Sequence, residues 1–329
     1  MKLGLFLSAH HEPGDDAQRH LGEVLEQART ADALGFDAVV LGHHYLANSA
    51  FLQPVPLAAT IAAHTERVRI VFGVHLLPLH SPIAVAEELA TLDVLSNGRI
   101  TAGFGVGYRE KEYRAFGIPF KQRFKRLDEA VPIIRALWRG ESVTAQGLFG
   151  EVTDARVHLR PVQPGGPPVW LGAFGARGIR RVAEHDACWL APPDGDEATL
   201  RERLELLRSE LKERGLSTDR EYPLSREGYV APSKSAALKA ASEYILRQYS
   251  NYKSWDQAQQ IEADSFLNSH ALVCDPGEAV ERLQRLEREL GVTQVHLRMQ
   301  WEGMSHEDAM AAIRTVGEQV IPRLQQEQA

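Results

Sequence analysis

Short apolar, β-branched runs alternate with longer stretches whose apolar residues recur every three or four positions, and this rhythm persists along the whole chain. Eight runs predict strands: Lys2–Leu7, Ala38–Leu41, Val68–Val74, Arg99–Phe104, Pro168–Gly172, Ala187–Leu190, Leu224–Val230 and Val292–Arg298. Between them the spacing predicts helices. In one, Ile83, Ala86, Leu89, Ala90 and Val94 share a face, and Asn97-Gly98 closes it. Another carries Asp128, Ala130, Ile133, Ile134, Leu137 and Trp138 and ends at Gly140. A strand followed by a helix, repeated eight times, is the count of an α/β fold built as a single (β/α)8 TIM barrel. A doubly wound sheet has fewer strands and a visible second domain. Two segments exceed a plain barrel and read as insertions in βα connections. Residues 139–167 hold short extended pieces among prolines and glycines; residues 247–272 are aromatic and polar, with Tyr249, Tyr252, Trp255 and Phe266. The second has the composition of a lid or of a packed helical arm.

Composition narrows the class. The 329 residues are 44% hydrophobic and 25% charged, ordinary for a globular chain with a large core. The net charge of −7 and the lack of a Lys/Arg block argue against nucleic acid. No apolar run approaches the roughly 20 residues that cross a bilayer. The start Met1-Lys2-Leu3-Gly4-Leu5-Phe6-Leu7 is basic then apolar, but His10, His11 and Glu12 follow at once, so it reads as a strand rather than a signal peptide. Cys188 and Cys274 do not amount to a disulfide framework. The expectation is a soluble, cytoplasmic protein.

In a barrel the chemistry sits where strands end. The predicted ends bring His10 and His11, Gly42-His43-His44-Tyr45, Gly73-Val74-His75 with His80, and Gly103-Phe104-Gly105-Val106-Gly107-Tyr108-Arg109 to one face. Gly172-Ala173-Phe174-Gly175-Ala176-Arg177-Gly178 follows, then Arg226 and Tyr229, then Arg298, Gln300 and Trp301. At least five of the thirteen histidines thus collect at one end. No metal site is expected: His43 and His44 are adjacent and would face opposite ways on a strand, and no carboxylate recurs at the strand ends. Gly103, Gly105 and Gly107 miss the last position of G-x-G-x-x-G, so the dinucleotide fingerprint fails. Alternating glycines at a strand end admit either a flat ring against the backbone or close packing at a tight corner. Residues 172–178 join a strand to an amphipathic helix with Ile179, Val182 and Ala183; free N–H groups beside Arg177 suit a phosphate.

These stretches, with Gly35-Phe36-Asp37-Ala38-Val39, Leu77-Pro78-Leu79-His80-Ser81-Pro82, Glu87-Glu88-Leu89-Ala90-Thr91-Leu92-Asp93, Leu95-Ser96-Asn97-Gly98-Arg99 and Pro168-Val169-Trp170-Leu171-Gly172, occur in a specific order and spacing. In that order the chain resembles the bacterial luciferase-like monooxygenase family from end to end. The resemblance implies a (β/α)8 barrel, a homodimer, and reduced FMN or a deazaflavin at the C-terminal face. It implies His43 as the catalytic histidine, acting as general acid/base, although Gly42 stands where the family often has an acid. It places a non-proline cis peptide at Gly73-Val74 beneath the flavin ring. Cofactor contacts fall on Gly73, Val74, His75, Gly105, Val106, Gly172, Ala173, Gly175, Ala176, Arg177 and Gly178. Val106 replaces a phosphate-binding arginine of luciferase, so the phosphate leans on Gly175, Arg177 and Gly178, with Arg109 a further candidate. His10, His44, Tyr108, Arg226 and Trp301 are assigned to the substrate pocket.

The implied reaction is oxygenation of a small, partly apolar organic substrate by O₂ and reduced FMN, the flavin being delivered by a separate reductase as transient partner. Light emission is not implied. Three alternatives stand beside it: hydride transfer with a deazaflavin, a non-catalytic flavin-binding member, and a metal hydrolase.

Overall fold

The computed structural model describes residues 1–193, 195–253, 266–267 and 270–326, with side chains omitted for 249–253. Nine parallel strands form one curled sheet. They are β1 (Lys2–Leu7), β2 (Ala38–Leu41), β3 (Arg69–Phe72), β4 (Ile100–Gly105), β5 (Val169–Gly172), β6 (Cys188–Leu190), β7 (Pro223–Val230), β8 (Leu272–Cys274) and β9 (Gln294–Arg298). Their order across the sheet is β6-β5-β4-β3-β2-β1-β9-β7-β8, and His75–Leu76 pairs beside the end of β4. Successive strands along the chain are neighbours in space, as short right-handed crossovers require. Beyond β6, Ala191 bridges Leu224 of β7: Ala191 N–H donates to Pro223 O (2.9 Å) and Ser225 N–H donates to Ala191 O (2.9 Å).

Buried strands of a parallel sheet read as continuous apolar runs because helices cover one face and the interior fills the other. β2, Ala38-Val39-Val40-Leu41, is wholly buried, and so is β4. The covering helices include α1 (Ala17–Ala33), α2 (Pro54–His64), α3 (Pro82–Leu95), α4 (Glu110–Ala115), α5 (Arg123–Arg139), α6 (Gly175–Glu184) and α7 (Glu197–Glu213). After these come α8 (Lys234–Lys253), α9 (Pro276–Leu290) and α10 (His306–Thr315). The α5 helix ends at Gly140 in the left-handed region (φ 82°), where glycine carries no Cβ penalty. Ile179, Val182 and Ala183 of α6 are buried.

The eight expected strands all form, with ends shifted by one or two residues. Two expectations need correction. The strand β8 lies inside the segment assigned to an insertion; three residues are too few to show a period. The buried face of α3 is Val85, Ala86, Leu89, Ala90 and Asp93, while Val94 is 43% exposed. That helix is apolar on nearly every side, so periodicity does not select a face. Segment 139–167 contains an antiparallel hairpin, Val143–Gly147 with Gly150–Ala155. Of the aromatic segment, the Tyr249 and Tyr252 side chains and Trp255 lie outside the described residues; Phe266 is buried against His270. Cys188 and Cys274 are both free thiols, and among the described residues no helix is long and apolar enough to cross a membrane.

Candidate functional site

A cavity of about 850 Å³ opens where the strands end. Its wall takes Phe6 from β1, His43 and His44 from beyond β2, Gly73 and Val74 from beyond β3, and Gly105 to Arg109 from the end of β4 onward. Gly172, Ala173, Arg177 and Gly178 follow β5, Leu190 to Pro193 follow β6, and Glu227 and Arg298 come from β7 and β9. This is the size of a site for a cofactor together with a small organic molecule. The Gly73–Val74 peptide in the wall is cis.

His43 and His44 leave the end of β2 in different directions and acquire different chemistry. His43 is 4% exposed, and its Nδ1 accepts the Leu76 N–H (3.2 Å). That fixes the proton on Nε2, which has no hydrogen-bond partner among the described residues. Around it stand His75 and His80, with ring centroids 4.9 and 5.7 Å away. Burial, then the neighbouring His80 and His44, push the His43 imidazole down to about 3. Burial takes His80 down to about 4 and holds His75 well below its ordinary value. The cluster is therefore neutral at physiological pH. An imidazole so far from neutrality is a poor general acid/base there, so the role carried by the resemblance does not suit His43. It suits a fixed hydrogen-bond donor. The three imidazoles are also one group able to hold a metal ion, their ligand nitrogens lying within 4.8 Å of one another; the sequence reading had no means to bring His75 and His80 to His43.

His44 turns the other way. Its Nδ1 lies 3.2 Å from Glu112 Oε1, and its Nε2 lies 3.3 Å from the Tyr108 hydroxyl. Glu112 is fully buried in α4 and also accepts the Tyr45 N–H (2.9 Å) and Arg109 Nη1 (3.2 Å) on the same oxygen. Sequence reasoning missed Glu112, which reads as one charge in Glu110-Lys111-Glu112. Arg109 donates its other bonds to the carbonyls of Tyr45 and Leu46 (2.9 and 3.1 Å), so it clamps a loop and is not available as a phosphate ligand.

At the β5 end, the first turn of α6 offers backbone N–H groups without a side-chain cap, since its N-cap is Phe174. Unfilled N–H groups and the positive end of the helix dipole make an anion site. Arg177 and Gly178 line the cavity beside that turn, while Gly175 and Ala176 stand just outside its wall. Gly175 adopts φ +61°, with nothing near the place of a Cβ. Arg123 and Arg181 add positive charge to the same wall.

The alternating glycines serve packing. A Cβ on Gly103 would lie 1.8 Å from the Phe72 carbonyl oxygen, one on Gly105 2.4 Å from Val74 Cγ2, and one on Gly172 2.8 Å from Val74 Cγ1. They make room for the backbone and side chain of residues 72–74. On the far wall Glu227 is buried, and Trp301 Nε1 donates to its Oε2 (2.6 Å). Burial raises its carboxyl, partly offset by Arg298, whose guanidinium lies over the Phe6 ring at 4.4 Å.

Of the expected residues, the cavity brings together His10, His43, His44, Gly73, Val74, Gly105, Val106, Tyr108, Gly172, Ala173, Arg177, Gly178 and Arg226. Three differ from expectation. Trp301 sits behind Glu227 and orients it, outside the cavity wall. His75 is buried behind His43. Arg226 reaches the wall, but its guanidinium donates to the carbonyls of Pro193 (3.1 Å) and Gly195 (2.9 Å), fixing the loop after β6.

The model of the family described as luciferase-like monooxygenase matches residues 1–294. Limonene 1,2-monooxygenase of Rhodococcus erythropolis is 28% identical over 97% of this chain and 86% of its own length. The F420-dependent glucose-6-phosphate dehydrogenase of Amycolatopsis mediterranei is 30% identical over 83% of this chain and 78% of its own. The oxygenase component of the flavin-dependent trigonelline monooxygenase of Acinetobacter baylyi is 26% identical over 98% and 95%. Among solved structures, monooxygenase RslO1 from Streptomyces bottropensis superposes with a TM-score of 0.88 at 25% identity, covering 98% of this chain and 99% of that one.

Proposed function

The chain belongs to the luciferase-like monooxygenase family, and from that premise we propose that it is the oxygenating component of a flavin-dependent monooxygenase, working with reduced FMN on a small, partly apolar organic substrate. The observation that carries the choice of a flavin nucleotide is the pairing of one large cavity with an uncapped helix start beside Arg177. An isoalloxazine ring with a phosphate needs that combination. The ring would lie against Gly73, Val74, Gly105, Val106, Gly172 and Ala173. The phosphate would take the N–H groups at the start of α6, with Arg177, and no geometry beyond that is implied. When bound, reduced flavin supplies the electrons with which O₂ is activated for transfer of one oxygen atom to substrate.

The protein's own part is to bind, orient and exclude water. Neutral His43 presents a fixed Nε2–H donor. Phe6, Leu7, Ala9 and Phe51 give the remaining volume apolar character, which suits an organic substrate more than a sugar phosphate. A separate reductase supplies the reduced flavin, a reading supported by the trigonelline relative being an "oxygenase component". The deazaflavin alternative keeps support from the F420-dependent relative. We also infer that the sheet closes into a (β/α)8 barrel through the Ala191–Leu224 bridge, within one domain. A homodimer and a cytoplasmic location complete the proposal; exposed Val94 and Leu95 at the end of α3 favour a partner surface.

Removing the arginine tests the phosphate assignment. Arg177→Ala is expected to weaken FMN binding about tenfold or more, as loss of a charge-assisted hydrogen bond does, and to leave riboflavin binding unchanged. Equal weakening for both ligands in a fluorescence titration, or no weakening at all, removes Arg177 from the phosphate site.

A further inference from the structure

We propose that the acid–base group of this cavity is His44, with Glu112 as its positioning carboxylate and Tyr108 as the phenol that carries the proton to and from the bound molecules. The proposal rests on the flavin reading above and goes beyond it in assigning the proton path.

The geometry determines the direction of each bond. An ionised carboxylate only accepts, so the 3.2 Å contact from Glu112 Oε1 places the His44 proton on Nδ1. Nε2 is then an acceptor, and the Tyr108 hydroxyl 3.3 Å away donates to it. A buried carboxylate, an imidazole and a hydroxyl at the cavity wall form one line, the arrangement in which a base is oriented by a third group. When Tyr108 gives up its proton to His44, the imidazolium formed faces Glu112, whose charge stabilises it. His43 is wired in the opposite sense: its Nδ1 accepts from backbone, its Nε2 carries the proton, and its neighbours are two further imidazoles rather than a carboxylate. Only one of the two adjacent histidines is thus built to change its protonation state. Glu112 is held for this purpose from several sides. It accepts Tyr45 N–H and Arg109 Nη1 as well, so its carboxylate and the His44 ring are fixed together.

Oxidation of a reduced flavin anion by O₂ sets the demand. One flavin anion, one O₂ and one proton yield oxidised flavin and one hydrogen peroxide, so a proton must enter the cavity and another must leave the ring nitrogen. Tyr108 and His44 both line the cavity, and this path connects it to Glu112.

Two measurements test the proposal. The first uses flavin-free protein: long-range ¹H–¹⁵N spectra of the histidine rings at pH 7.5 are expected to show the Nδ1–H tautomer for His44 and the Nε2–H tautomer for His43. Glu112→Gln is expected to remove the His44 preference and leave His43 as it was. An Nε2–H His44 in the wild type overturns the proposal. The second mixes protein loaded with reduced FMN with oxygenated buffer and follows flavin oxidation and peroxide release. His44→Ala is expected to slow peroxide release at least tenfold, with reduced-FMN affinity within threefold of wild type and partial recovery on adding imidazole. Tyr108→Phe, which keeps the ring, should slow it as well, and stands in should His44→Ala fold poorly. Unchanged rates in both variants, alongside a slow His43→Ala, overturn the proposal and leave the flavin reading standing. Failure of the wild type to bind reduced FMN sinks the flavin reading instead, while the spectra still decide the tautomers.

Discussion

Between pH 7.5 and pH 5.5 this protein is expected to lose about 2–4 kcal/mol of folding stability, read as a fall in the urea midpoint at constant m. Three fully buried imidazoles drive the loss. Burial first, and then neighbouring positive groups, take His43 and His296 down to about 3 and hold His75 well below its ordinary value near 6.5. The sign follows from proton counting. With the folded values depressed, the unfolded chain binds more protons than the folded one at every pH below about 6.5. Stability is therefore complete above that value and falls as the pH drops toward the folded values. Each such group contributes about 1.4 kcal/mol per pH unit in that window. Total stabilities are about 5–15 kcal/mol, so the loss is a large fraction. Carboxylates with depressed values, such as Asp32 and Asp196, act only at lower pH and leave this window to the histidines. A midpoint that does not move between the two pH values contradicts the neutral cluster.

Replacing Gly103 with alanine is expected to destabilise the fold by about 3 kcal/mol and to abolish tight flavin binding with it. A Cβ there meets the Phe72 carbonyl oxygen at 1.8 Å. Backbone cannot rotate away as a side chain can, so β3 and β4 must separate. Those strands carry Gly73, Val74 and Gly105 into the cavity wall, and the ring platform moves with them. Gly117→Ala is the control. It has φ +67° but nothing within 4 Å of a Cβ, so only the left-handed penalty of about 1–2 kcal/mol applies, without loss of binding. Comparable melting temperatures for the Gly103→Ala variant and the wild type would show that the close approach is absent.

The contrast between these glycines shows where sequence reading stops. A run such as Gly103-Phe104-Gly105-Val106-Gly107 announces that something passes close to the backbone, but not whether it is a ring or a neighbouring strand. Strands such as Ala38–Leu41 were legible because a helix-covered parallel strand must be apolar on both faces. Leu272–Cys274 was not, because three residues have no period. The line of strand ends located most of the cavity: His10, the His43-His44 pair, Tyr108 and the helix start at Arg177. What it could not supply was pairing across sequence distance. Glu112 lies 68 residues from His44 and looks like one charge among several on a short helix, and His80 joins His43 only through the turn after Leu76. Arg226 and Trp301 were correctly placed near the site but misjudged in role, since a strand position does not tell whether a polar head faces a ligand or a carbonyl.

The most direct test of the central claim is an anaerobic titration of the wild-type protein with reduced FMN and, in parallel, with reduced F420. The account predicts saturable micromolar binding of reduced FMN, at least tenfold tighter than the deazaflavin. No binding of reduced FMN, or a preference for the deazaflavin, would contradict it.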